Sequence, residues 1–294
     1  MKRVFLFFLT NVLVMVSLSI VYALLTAAGL VPADYGGQLV LFSVLIGFGG
    51  SFISLLLSKW MAKRAMGVQI VDSRGQFAPL VNKVHTLAKQ AGLSKMPEVG
   101  VYESPEVNAF ATGPSKNNSL VAVSTGLLSR MDDSEVHGVL AHEVSHIANG
   151  DMVTMTLVQG VVNSFTYLVS IVVTNIVAGA LRGNSERGIG DNFFIRHMIF
   201  NLIYGLVAFA AFPIVAWFSR YREYRADAGA AKIAGPGPMI AALEKLKKHV
   251  GQVEQSSEAF QSMKISNKGA FAEWFSTHPP LEKRIRALQT REYK

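Results

Sequence analysis

Val139-Leu140-Ala141-His142-Glu143-Val144-Ser145-His146-Ile147-Ala148-Asn149-Gly150-Asp151 is the stretch around which this chain is organised. It holds a His-Glu-x-x-His pattern in a helical setting. Val136, Val139, Leu140, Val144 and Ile147 keep a helical period. Asp132, Asp133, Ser134 and Glu135 supply N-cap and first-turn chemistry, and Asn149-Gly150 supplies a C-terminal stop. Histidines four apart lie one turn apart on the same face, so both imidazoles reach one metal ion. Glu143, beside the first of them, is placed to hold a water that the metal activates.

Composition puts this helix in a membrane context. Half of the 294 residues are hydrophobic and only 16% are charged, against about a quarter in soluble globular chains. Mean hydropathy is +0.32. The chain has no cysteine, which excludes a disulfide framework and Cys-ligated zinc and fits a bacterial cytoplasmic or membrane setting. The net charge of +8 does not point to nucleic acid, because the basic residues cluster beside apolar spans and no aromatic–basic recognition motif is present. The positive-inside rule explains it, with contact to anionic lipid as a consequence.

Lys2-Arg3 precede an apolar run from Val4 to Val31. Thr26-Ala27-Ala28 offers small residues for a signal-peptide cut, but the run far exceeds the ~7–15 residues of a signal core, so a retained anchor is expected. The link from Pro32 to Gly37 carries no positive charge. A second span follows from Gln38 to Ser58, with Gly47, Gly50, Ser51 and Ser54 spaced for close helix packing. Lys59, Lys63 and Arg64 come next, which places the N-terminus and the following segment in the cytoplasm.

Residues 65–151 read as soluble and mixed. Strands are expected at Val68–Val71 and Pro97–Tyr102, a helix over Pro79–Ala91, and a hairpin from Asn108–Gly113 and Ser119–Ser124. A strand just ahead of the metal helix can line its cleft and offer a free edge to an extended peptide, or can simply be an interior hairpin. Two more spans are expected at Met152–Leu181 and Phe193–Phe218, joined by a Gly-rich polar link, with a kink-capable Pro213 in the second. Arg220, Arg222 and Arg225 return the chain to the basic side. The remainder reads as a helix from Met239 to Val250, a polar loop or flap from Gly251 to Gly269, and a final helix Leu281–Leu288 after Thr277-His278-Pro279-Pro280. The resulting segments are 1–64 (transmembrane pair), 65–151 (soluble, with the metal helix), 152–218 (second transmembrane pair) and 219–294 (soluble).

Two histidines leave a metal site one protein ligand short. His85, His137, His197 and His249 have no supporting motif, and His197 is expected at a membrane interface. Glu223 and Asp227, four apart, share a helical face, so one carboxylate can bind the metal while the other steadies a ligand histidine. Glu223 comes five residues after the fourth span and His146 six before the third. At ~1.5 Å per helical residue, both then lie within roughly 10–15 Å of the membrane boundary.

Asn108-Ala109-Phe110-Ala111-Thr112-Gly113, Ala141–His146, Asn149-Gly150-Asp151, Glu223-Tyr224-Arg225-Ala226-Asp227 and Thr277–Pro280, between and after paired apolar spans, resemble over the whole length the HtpX membrane zinc metalloproteases, relatives of the CAAX prenyl proteases. The resemblance implies an α-helical membrane protein with a cytoplasmic α+β zincin-like (HExxH) metalloprotease domain built from 65–151 and 219–294. It implies one Zn2+ held by His142, His146 and Glu223, with Glu143 as general base and Asp227 holding a ligand histidine. Asn108, Ala109 and Phe110 would lie along the substrate. His278 would stand near the site, either for the oxyanion or only to lock the fold. The implied function is a multi-pass endopeptidase of the bacterial cytoplasmic (inner) membrane, with both termini and the active site cytoplasmic. It would cleave misfolded or damaged membrane proteins under stress. Its expected partners are membrane-protein or unfolded polypeptide substrates and the lipid bilayer, without nucleic acid. Two rivals are a CAAX-type prenyl-protein endopeptidase and a non-catalytic membrane adaptor with structural zinc. The second gives Glu143 no role.

Overall fold

A computed structural model of the chain describes residues 13, 16–24, 26–29, 36–182, 192–256 and 274–291. In chain order the elements are α1 (Gly36–Ala65), β1 (Gln69–Val71), α2 (Ala78–Gln90), β2 (Glu98–Tyr102), β3 (Ala109–Ser115), β4 (Asn118–Ser124), α3 (Thr125–Arg130), α4 (Asp133–Asn149), α5 (Asp151–Arg182), α6 (Phe193–Ala234), α7 (Pro236–Ser256) and α8 (Leu281–Thr290). The described residues pack as two compact units. One runs up to Ser54 and includes Met155–Val215; the other joins Leu55–Thr154 to Ala216 onward.

The first unit is helical and apolar. Among the described residues three helices are long and apolar enough to cross a membrane, within Gln38–Ala65, Asp151–Leu181 and Phe193–Ala234. Most of the expected first span, Val4–Val31, lies outside the described residues, although 16–24 are helical. Leu18 and Tyr22 from that stretch pack with Val40, Val44 and Phe48 of α1 and with Leu168 and Val172 of α5. Of the small residues expected on α1, Gly47 and Ser51 meet α5. A Cβ on Gly47 would lie 2.3 Å from Ser164 Oγ, and a Cβ on Gly160 would lie 2.5 Å from the Phe48 ring. Asn163 Nδ2 donates to Ser51 Oγ at 3.3 Å, and Gln159 Nε2 donates to Asn163 Oδ1 at 2.8 Å, so polar groups at this apolar depth satisfy one another. Gly50, by contrast, has open space around it.

The second unit holds a four-stranded sheet in the order β1-β2-β4-β3. β2 and β4 run parallel, while β1 and β3 pair antiparallel at the two edges. Central β4 is buried on both faces, which is why Leu120-Val121-Ala122-Val123 is continuously apolar rather than alternating. On one face Val99, Val101, Val121 and Val123 pack against Leu80, Val84 and Leu87 of α2 and Val136, Leu140 and Val144 of α4. The same core continues into Ala230 of α6, Leu243 of α7 and Leu288 of α8. Tyr102, Leu120, Ala122 and Phe110 form a small cluster on the other face.

Two expected boundaries shift. α6 passes unbroken through Pro213 and continues to Ala234 instead of ending near Phe218. One missing N–H in the backbone ladder does not end an apolar helix of 42 residues. α7 begins at Pro236 and runs through Gly251–Ser256, the start of the expected polar loop; 257–273 lie outside the described residues.

Candidate metal centre

α4 is started and stopped by its own sequence. Asp132 Oδ1 accepts from the Glu135 N–H at 2.8 Å, and Glu135 Oε2 accepts from the Asp132 N–H at 2.9 Å, a closed capping box. Gly150 ends the helix in the left-handed region at φ 71°, which a side chain would resist. α5 starts at the next residue, so Asp151 comes back to the last turn of α4, and its Oδ2 lies 2.6 Å from His146 Nδ1.

α6 crosses α4 closely because its facing residues are small. Ala226 and Ala230 are fully buried, and a Cβ on Gly229 would lie 2.7 Å from Ser145 Oγ. That approach sets Glu223 and Asp227, 2% and 3% exposed, against the two histidines. His142 Nε2 and His146 Nε2 are 3.1 Å apart. Glu223 Oε2 lies 3.5 Å from the former, and Oε1 lies 3.4 Å from the latter. One ligand atom from each of the three residues falls within 4.8 Å of the others. His142 Nδ1 donates to Asp227 Oδ1 at 2.9 Å. Both rings therefore turn Nε2 towards a common point and Nδ1 towards a carboxylate.

This donor set fits a metal ion. Ligands at 2.0–2.1 Å in tetrahedral array are about 3.3 Å apart, the spacing seen between these three donors. Burial alone would push His146 down, but hydrogen bonding to Asp151 and Glu223, with the negative charge of Glu143 nearby, carries it up to about 9. His142 moves up for the same reason, as bonds to Asp227 and Glu223 outweigh burial. The pocket is thus strongly cation-attracting.

Arg284 of α8 was not anticipated. It is 6% exposed and grips Asp227 with both Nε (2.8 Å) and a terminal nitrogen (2.7 Å), while its other terminal nitrogen lies 3.6 Å from Glu223 Oε2. Burial would lower the guanidinium pKa, but Asp227 and Glu223 hold it up. Asp151, which entered the sequence reading only as the end of a family motif, is the second addition. A signal for it existed in its place one residue beyond the αL glycine. Arg284 left a weaker one, in step with Ile285 and Leu288 on the buried side of α8.

The remaining predicted residues are placed as follows. Glu143, half-buried, follows His142 on α4. His278 is exposed, yet its Nδ1 lies 3.1 Å from Glu223 Oε2. The Asn108 carbonyl accepts from the Ser124 N–H at 3.0 Å, and the Asn108 N–H donates to the Ser124 side-chain Oγ at 3.1 Å. Ala109 and Phe110 open edge strand β3, with Phe110 tilted against Tyr102 at 5.7 Å. Elsewhere, His85 Nε2 lies 3.2 Å from the Pro97 carbonyl and His197 stacks on Phe193. Neither joins the cluster.

A metallopeptidase carried on membrane-spanning helices is the class that this helix, sheet and carboxylate set define. The family model for Peptidase family M48 matches residues 75–292. Protease HtpX of Tolumonas auensis is 50% identical over 98% of this chain and 99% of its own length, and Protease HtpX of Shewanella sp. strain ANA-3 is 51% identical over 99% and 100%. The chain belongs to peptidase family M48, and within it to the HtpX proteases. The crystal structure of S. mikatae Ste24p shares the fold at a TM-score of 0.58 and 19% identity, over 96% of this chain and 66% of that one.

Proposed function

We propose that His142, His146 and Glu223 hold one zinc ion and that the protein cleaves misfolded or unfolded membrane-protein segments at the cytoplasmic face of a bacterial inner membrane. The supporting observation is the matched pair of imidazoles, each with Nε2 facing Glu223 and Nδ1 held by a carboxylate, Asp227 for His142 and Asp151 for His146. A zinc ion held by His142, His146 and Glu223 would supply an acidified water and a Lewis acid for the scissile carbonyl. Glu143 takes the proton of the attacking water and delivers it to the leaving amine. Asp227 and Asp151 keep each ring in the tautomer that leaves Nε2 free, and Arg284 keeps Asp227 in place. His278 offers a donor to the oxyanion that forms. The outer side of β3, from Asn108 through Phe110, accepts an extended substrate strand. Lys59, Lys63 and Arg64 at the C-terminal end of α1, and Arg220, Arg222 and Arg225 after the apolar part of α6, support the cytoplasmic placement.

The deciding experiment compares wild type and Glu143→Gln, purified in detergent, for zinc content and for cleavage of an unfolded membrane-protein substrate. The variant keeps stoichiometric zinc and loses at least about a hundredfold in cleavage. Full activity in the variant rejects the assignment. A prenylated peptide run alongside remains uncut; its efficient cleavage would move the substrate class to lipidated C-termini.

A further inference from the structure

All three tryptophans of this chain are exposed: Trp60 by 61%, Trp217 by 61% and Trp274 by 63%. Tryptophan is costly to leave in water and is enriched where a bilayer meets it. Two of the three occupy a telling place. Along the exposed side of α6 come Leu202, Leu206, Phe209 and Ile214, then Trp217 and Tyr221, then Arg225. That order is hydrocarbon, interface, headgroup. Trp217 and Tyr221 stack with ring centres 6.3 Å apart, and the Arg225 guanidinium lies over the Tyr221 ring at 5.9 Å. At 1.5 Å per residue, the eight residues from Trp217 to Arg225 rise about 12 Å, enough to cross the roughly 5–8 Å of headgroup layer on one side of the hydrocarbon core. α1 repeats the order with exposed Ile53, Leu56 and Leu57, then Trp60, then Lys63 and Arg64.

Trp274 lies far along the chain from either helix, yet it is tied to the same level of α6. Arg220 donates to the Ser276 carbonyl at 2.6 Å and to the Trp274 carbonyl at 3.4 Å. Arg220 sits between Trp217 and Tyr221 in sequence, so the Trp274 backbone is held at the interfacial band while its indole faces outward. Four residues on, His278 reaches Glu223. Within the same short segment, one end meets the surroundings and the other meets the metal cluster.

We propose that Trp274 is a lipid anchor, which with Trp217 and Tyr221 seats residues 274–280, and with them His278, in the headgroup layer of the bilayer. The partner is the lipid surface itself: aromatic rings take the carbonyl region, and Arg225 meets phosphate. The continuity of the exposed stripe with the membrane-spanning part of α6 selects lipid over a protein partner. The proposal rests on the membrane-spanning character of α6 and not on the chemical roles assigned to the metal cluster.

The test uses the full chain in nanodiscs of mixed phosphatidylcholine and phosphatidylglycerol. A Trp60→Phe/Trp217→Phe variant leaves Trp274 as the sole indole, and its emission is challenged with lipids brominated high or deep in the acyl chain and with aqueous iodide. Trp274 loses roughly half its emission to the shallow bromine, less to the deep one and little to iodide, as an interfacial ring does. Quenching by iodide without quenching by brominated lipid overturns the proposal, because the ring is then in water. Protection from all three quenchers also overturns it, because protein then covers the ring. Adding Arg220→Gln releases the segment, so lipid quenching of Trp274 falls at least twofold. In a Trp60→Phe/Trp274→Phe background, the same substitution leaves quenching of Trp217 unchanged. Equal loss at both positions would mean that Arg220→Gln disturbs α6 as a whole, and would overturn the tether.

Discussion

Replacing Arg284 with Met isolates the least expected part of the centre. The guanidinium is 6% exposed, donates twice to Asp227 at 2.7 and 2.8 Å and lies 3.6 Å from Glu223. Its loss leaves two carboxylates, 2% and 3% exposed, without their shared cation. Breaking one side of a buried ion pair costs about 3–5 kcal/mol, far above the ~1 kcal/mol of a surface pair. That loss lowers the melting temperature of the metal-free protein by on the order of 10 °C. Arg284→Lys keeps the charge but not the planar two-point grip, and recovers only part of the loss. Asp227→Asn with Arg284→Met removes both charges, so the double variant is more stable than the sum of the single losses by about 1–3 kcal/mol. The assay is denaturant unfolding in detergent, with metal affinity measured by chelator competition. Affinity falls roughly 10–100-fold in Arg284→Met, because Asp227 no longer fixes the His142 ring. A single variant within about 1 kcal/mol of wild type, with strictly additive losses in the double, would refute the reasoning.

Glu223→Ala abolishes stoichiometric metal binding as well as cleavage; unchanged metal content by elemental analysis would remove Glu223 from the ligand set. Asp151→Ala weakens metal binding about 10–100-fold while α5 stays helical by circular dichroism, since the residue orients His146 rather than binding the ion. The raised His146 pKa sets a pH dependence. Its folded value of about 9 exceeds the ordinary 6.5, so in metal-free protein it contributes roughly 3 kcal/mol that is complete below pH 6.5 and lost as pH rises towards 9. Metal uptake must displace that proton, and His142 is raised as well, so apparent affinity climbs at least about tenfold per pH unit over the same window. A flat profile in chelator competition contradicts it. Gly138→Ala places a Cβ 2.3 Å from the Pro238 carbonyl oxygen and costs about 1–3 kcal/mol in thermal unfolding, whereas Gly49→Ala, with nothing within 4 Å, does not destabilise.

Much of this protein is written locally. The limits of α4 follow from Asp132, Glu135 and Gly150, three residues whose caps act within four positions of themselves. The strands and α2 follow from period and turn residues, and the apolar helices from length alone. His142 and His146 converge because 3.6 residues make a turn. Other features depend on contacts between distant segments. The sequence shows a hairpin but not that β4 turns inward to run parallel with β2 and leaves β3 at the edge. That choice depends on which faces α2 and α4 cover. Pro213 looks like a kink and Gly251 like a break, yet the helices continue because the rest of each backbone ladder outweighs one poor residue.

By itself, then, the sequence determined the chemistry: two imidazoles and a glutamate on one helical turn, apolar spans around them and a carboxylate pair downstream. The tertiary structure decided how the remaining charges are shared out. Glu223 faces both Nε2 atoms, Asp227 goes to His142, Asp151 goes to His146, and Arg284 neutralises the carboxylates from a helix 142 positions away from His142. The physical reason is range. Caps and periods act through bonds within a turn of helix, whereas a buried charge is satisfied only by whatever side chain the fold brings within about 3 Å of it.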